Sequence, residues 1–122
     1  MSNSFFLDGL IPPITKRQLA AALGVSERSV FNYQVVATTS VDDFLSDYPV
    51  VNGKYITSTP MTYYQAWIIG HIKTFLDFFP NVKILQNKLE NDPQVQQSWS
   101  KQVFLTEFPE YYDNTQSFLV KL

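Results

Sequence analysis

A chain of 122 residues that is 45% hydrophobic and 16% aromatic holds enough apolar mass for one compact core and too little for two, and this excludes intrinsic disorder. Nine Lys and Arg against eleven Asp and Glu give a formal charge of −2, so no global basic field is present and any contact with nucleic acid must be local. The absence of cysteine excludes disulfide scaffolds, thiolate zinc sites and cysteine nucleophiles, and a single histidine excludes a multi-histidine metal centre.

In chain order, Met1 to Asp8 has no basic segment and only a short apolar run, so no secretory signal is expected and a cytoplasmic location is. Pro12-Pro13 closes this leader. Thr15 and Gln18 then have the spacing of a capping box, which starts a first helix over Lys16 to Leu23, with Leu19, Ala20 and Leu23 on one face. Gly24 supplies the left-handed backbone that stops it. Ser26 caps a second helix over about Glu27 to Ala37, with Val30, Tyr33 or Gln34, and Ala37 turned to the core.

From Thr38 to Pro60 the helical period lapses. Asn52-Gly53, between Val50-Val51 and Lys54-Tyr55-Ile56, is a two-residue hairpin turn, because both central positions need positive φ. The acidic residues Asp42, Asp43 and Asp47 lack the spacing and glycine of a calcium loop and read as solvated charges. Thr62 to Phe79 forms the central helix, with Tyr64, Trp67, Ile68, Ile72, Phe75, Leu76 and Phe79 in its stripe. Its polar members Gln65, His71, Lys73, Thr74 and Asp77 argue against a membrane span, and His71 reads as a half-buried histidine. Val82 to Leu89 is a further helix. Asp92-Pro93 opens a last one to about Phe108, in which Val95, Trp99, Val103 and Phe104 fall on one side and are assigned to dimerisation. The tail residues Tyr111, Tyr112, Phe118, Leu119 and Leu122 are apolar enough to dock on the domain or a partner.

The run from Thr15 to Tyr33 resembles the helix-turn-helix of bacterial transcription factors. Gly24-Val25-Ser26-Glu27-Arg28-Ser29-Val30 and Tyr33, followed by a hairpin with Gly53-Lys54-Tyr55, is similar to the MerR-type regulators from Thr15 to about Phe79. As a shortened relative of that kind it also resembles the effectorless MerR-type repressors that accompany cyanobacterial CRISPR-associated transposons. The chain departs from that pattern at Phe31 and Asn32, where a basic residue and an aromatic are common, in its long acidic loop, and in lacking the usual long coiled coil and effector domain. The missing cysteines exclude metal sensing.

The resemblance implies a mainly α fold, a winged helix-turn-helix with a small β-hairpin wing in residues 1–79 and C-terminal dimerisation helices in 80–122, forming one compact domain. It implies a homodimer that binds double-stranded DNA sequence-specifically and represses by covering a promoter, with no cofactor, metal, membrane or small-molecule effector. In this reading Arg28 bonds phosphate or the O6/N7 edge of guanine, and Asn32 pairs with adenine. Ser26 and Ser29 offer hydroxyls, with Ser26 also the cap, while Tyr33 packs its ring and reaches phosphate with its hydroxyl. Lys16, Arg17, Lys54 and Tyr55 make the remaining contacts, chiefly to phosphate. No phosphate-cradling loop, nucleophile elbow or triad is found, so no enzyme is expected. The competing readings are an excisionase-like factor that bends DNA and an adaptor that uses its aromatic tail for protein contacts.

Overall fold

The structure, a computed structural model, describes residues 7–111. Six α-helices and a two-stranded antiparallel hairpin occupy them: α1 (Lys16–Leu23), α2 (Glu27–Ser40), β1 (Val50–Val51), β2 (Lys54–Tyr55), α3 (Tyr63–Phe78), α4 (Val82–Asn91), α5 (Pro93–Ser98) and α6 (Lys101–Glu107). Single 3₁₀ turns lie at Phe44–Asp47 and Pro109–Tyr111. The expected tail contacts of Tyr112, Phe118, Leu119 and Leu122 lie outside the described residues.

Local chemistry sets most helix ends. Thr15 and Thr62 each close a full capping box, with Gln18 and Gln65 as the returning side chains. Gly24 ends α1 at φ 70°, and Asp92 caps α5 with Pro93 in its first turn. The second helix runs past the predicted Ala37 to Ser40. Thr38 and Thr39 both turn their hydroxyls back onto the Val35 carbonyl at 2.9 Å, so these residues continue the helix instead of breaking it. Ser40, at its end, is buried and donates to Glu90 (2.9 Å).

The N-terminal half of α3 is the centre of the molecule. Residues 61–70 are buried without a break, including Tyr63, Gln65, Ala66 and Ile69 outside the predicted stripe. The helix is enclosed because α2, the Phe44–Asp47 turn, α4 and α6 all pack on it, and because Ile14 and Met61 bridge the segments leading into α1 and α3 with two backbone bonds (2.9 and 2.6 Å). Its C-terminal end emerges from that enclosure, so Phe79, predicted inside, is 58% exposed beside Phe78 at 77%. One apolar cluster runs from Leu7, Leu10 and Ile14 through Leu19, Val30 and Trp67 to Leu85, Leu89, Phe104 and Tyr111. No helix among the described residues is long and apolar enough to cross a membrane.

Two predicted features are corrected by long-range contacts. The single helix from Asp92 to Phe108 is broken at Trp99 and Ser100. The Tyr64 hydroxyl donates to the Trp99 carbonyl at 2.6 Å, and Ser100 takes extended backbone (ψ 156°) to cap α6 by accepting from Val103 N (3.2 Å). The Asp42–Asp47 stretch is not uniformly solvated either. Asp47 is 5% exposed, paired with Lys101 Nζ and bonded by the Thr62 hydroxyl (2.6 Å), while Asp43 accepts from Lys101 N (3.0 Å). A buried carboxylate needs such compensation, and Lys101 supplies it from 54 residues away, beyond the reach of local pattern.

Candidate nucleic-acid interface

Helices α1 and α2 meet across the Gly24 turn, where Val25 N donates to the Ala20 carbonyl (3.0 Å) and Leu19, Ala20 and Val30 are buried, while α2 also packs on α3. At the head of α2, Ser29 N donates to Ser26 Oγ and the Ser26 hydroxyl donates to Ser29 Oγ, both at 3.1 Å. Both serines therefore serve the cap, with Ser26 exposed and Ser29 half-buried. Tyr33 is half-buried against the core, as its predicted packing role requires.

Arg28, Phe31, Asn32 and Val35 of α2, spaced i, i+3, i+4 and i+7 along one face, are all exposed, as are Glu27 and Thr39 at the two ends of the helix. The Arg28 guanidinium lies 5.9 Å from the centroid of the Phe31 ring, a cation–π contact that restrains a long side chain on an open surface. Opposite this face, Val30, Gln34 and Ala37 turn inward.

The hairpin is built by Asn52 and Gly53 at φ 52° and 78°, with Val50 opposite Tyr55 and Val51 opposite Lys54. All four strand residues are exposed, so a hairpin this short contributes almost nothing to the core and needs anchoring. Gln34 provides the anchor. Its Nε2 donates both to the Tyr48 hydroxyl (2.7 Å) and to the Thr57 carbonyl (2.9 Å), one residue on each leg of the hairpin. Lys16 Nζ reaches the same Thr57 carbonyl at 3.4 Å, which ties the start of α1 to that leg. The Tyr48 phenol is pushed up to about 12, mainly by burial, with the Gln34 bond opposing and the Asp47 charge adding, so it stays neutral.

The inner face of α2 and the two segments flanking the hairpin are thus joined through one buried carboxamide, and Lys16 adds the start of α1 through the Thr57 carbonyl. Across residues 15–35 and 50–57 the ionised side chains are Lys16, Arg17, Arg28 and Lys54 against Glu27 alone, a local basic excess in a chain of net charge −2. Three acidic residues lie apart from these segments in sequence: Asp42, Asp43 and Glu90 line a cleft of about 520 Å³ between the end of α2 and α5. Among the described residues, no group of three or more His, Asp or Glu side chains is placed to hold a metal ion.

The residues assigned to dimerisation are placed differently from that surface and from one another. Phe104 is fully buried, with rings of Trp67, Tyr64 and Phe108 at 5.1, 5.8 and 5.5 Å, so it is spent within the chain. Trp99 lies 5.3 Å from the His71 ring, and Val95 packs on the core; Val103 is half-buried. The break at Trp99–Ser100 removes the straight stripe they formed in a single helix. Sequence pattern missed Gln34 as the anchor, although a glutamine at the core-facing period of α2 was the available signal. It also missed the exposure of Phe31 and Val35. Comparison with protein-family models, with curated proteins and with solved structures returns no match.

Proposed function

We propose that this protein binds double-stranded DNA sequence-specifically, inserting α2 into a major groove as a winged helix-turn-helix of MerR-like type and laying the hairpin along the adjacent backbone. The observation that carries the reading is the Gln34 bridge, because it holds an otherwise marginal hairpin at a set position beside α2 while the Arg28–Val35 face stays open. In this arrangement Arg28 and Asn32 reach base edges, and Arg17, Lys54 and the Ser26–Ser29 head of α2 meet phosphates. Lys16 is partly committed to Thr57 and contributes mainly by its charge.

A homodimer suits this mode, since two copies read two half-sites. Apolar side chains available to a second copy include Phe78 and Phe79 at the end of α3 with Val82 and Ile84 in α4, which are 42 to 77% exposed and adjoin one another in sequence. Repression by covering a promoter follows as the simplest consequence of tight binding.

The test is selection of duplexes from a randomised pool, followed by affinity measurement from about 50 to about 200 mM salt. The expected result is an enriched sequence bound with a steep salt dependence; eight cations in a dimer set a log–log slope of up to about −7. Failure to enrich any sequence, with affinity equal to that for unselected duplex, would overturn the reading.

A further inference from the structure

We infer that the outer face of α2 selects thymine by its 5-methyl group, through Phe31 and Val35, so that the preferred half-site is defined by methyl contacts as much as by hydrogen bonds. This rests on the proposed DNA-binding reading and deepens it. Phe31 and Val35 are each 47% exposed on the line that carries Arg28 and Asn32, opposite the buried Val30, Gln34 and Ala37. Neither is needed by the core. A surface meeting phosphate alone would need cations or hydroxyls at those two positions, whereas here the face alternates arginine, ring, carboxamide and isopropyl.

Each of these groups has one natural counterpart on the major-groove edge. A guanidinium fork matches the O6 and N7 acceptors of guanine, a carboxamide matches the donor and acceptor of adenine, and the apolar feature of that edge is the methyl of thymine. The Phe31 ring is already held against the Arg28 guanidinium at 5.9 Å, so the apolar and charged contacts are positioned together. From Arg28 to Val35 the helix rises about 10 Å, roughly three base-pair steps. The half-site core is therefore about three to four base pairs, mixing one guanine contact with adjacent A·T pairs in which Phe31 and Val35 touch thymine.

The experiment uses the full chain and the duplex enriched from a randomised pool. Each thymine of each half-site is replaced singly by deoxyuridine, which keeps the hydrogen-bonding edge and removes only the methyl. At least one thymine per half-site is expected to show about fourfold weaker binding, the worth of one buried methyl group. Phe31→Ala or Val35→Ala is expected to bring thymine and uracil within error of each other at its own position, while the uracil effect at the other position persists. Because both side chains are on the surface, circular dichroism of the variants should match the wild type. An enriched duplex indifferent to every thymine-to-uracil change, or a uracil penalty that survives in both variants, overturns this inference and leaves the DNA-binding reading standing. A chain that enriches no sequence overturns both.

Discussion

Replacing Gln34 by leucine removes the carboxamide without opening a large cavity, and the expected cost follows from the groups it leaves behind. Gln34 and Tyr48 are each 3% exposed, so the Tyr48 hydroxyl and the Thr57 carbonyl both lose a donor that water replaces poorly. A buried polar group deprived of its partner costs about 1 to 3 kcal/mol, which applies to the Tyr48 hydroxyl, while the half-buried Thr57 carbonyl keeps Lys16 Nζ at 3.4 Å and loses less. Gln34→Leu is therefore expected to lose about 1 to 3 kcal/mol by urea unfolding. Tyr48→Phe should lose about 1 to 2 kcal/mol, because one Nε2 hydrogen loses its acceptor while the other keeps Thr57. The double variant removes both partners of the 2.7 Å bond, so it should fall short of the summed single losses by about 1 kcal/mol. Amide exchange should show the faster opening concentrated at Val50–Tyr55, with α3 protected up to the global limit. If Gln34→Leu costs less than about 0.5 kcal/mol, or if the hairpin amides keep wild-type protection, the carboxamide does not hold the hairpin and the geometry proposed for DNA contact loses its basis.

Lys101→Met leaves the buried Asp47 carboxyl without its cationic partner and is expected to cost about 3 to 5 kcal/mol, with part recovered in the double variant Asp47→Leu/Lys101→Met; a single-variant loss below about 1 kcal/mol in urea would contradict the pairing. Burial holds His71 down to about 4 from its ordinary 6.5, so the unfolded chain binds the proton more tightly. Stability from this group is complete above pH 6.5 and falls as the pH drops toward 4, by about 2 to 3 kcal/mol at pH 4.5, and His71→Phe should flatten that part of the stability–pH curve. Arg28→Ala should weaken the enriched duplex by about 1 to 3 kcal/mol and relax one base position in each half-site, whereas Lys54→Ala, which removes one cation from each subunit, should weaken all duplexes alike and lower the salt slope by about 2; equal phenotypes in binding titrations would mean that α2 is not in the groove. Light scattering at micromolar concentration should give twice 14.1 kDa, reduced to the single-chain mass by Phe78→Ser/Phe79→Ser, and a wild-type monomer both free and on DNA would refute the dimer.

Local signals in the sequence were sufficient wherever a structural decision rests on a few neighbouring residues. Thr15 with Gln18, Gly24, Ser26, Asn52-Gly53 and Asp92-Pro93 each satisfy or redirect backbone groups within a turn of themselves, so the limits of α1 and the turn of the hairpin followed directly. The α2 periodicity likewise separated an inward line through Val30 and Ala37 from an outward one through Arg28 and Asn32. What depended on distant partners was not legible. Asp47 looks like a loop charge until Lys101 arrives beside it, Trp99 looks like mid-helix until Tyr64 takes its carbonyl, and Phe104 looks available for a partner until Trp67 and Tyr64 enclose it. Gln34 is an ordinary polar helix residue in sequence and becomes the tie between α2 and the hairpin only when Tyr48 and Thr57 converge on it. Capping and turn preferences are properties of contiguous residues, whereas burial and the compensation of buried polar groups are properties of whatever the rest of the chain brings alongside, and only the tertiary structure supplies that.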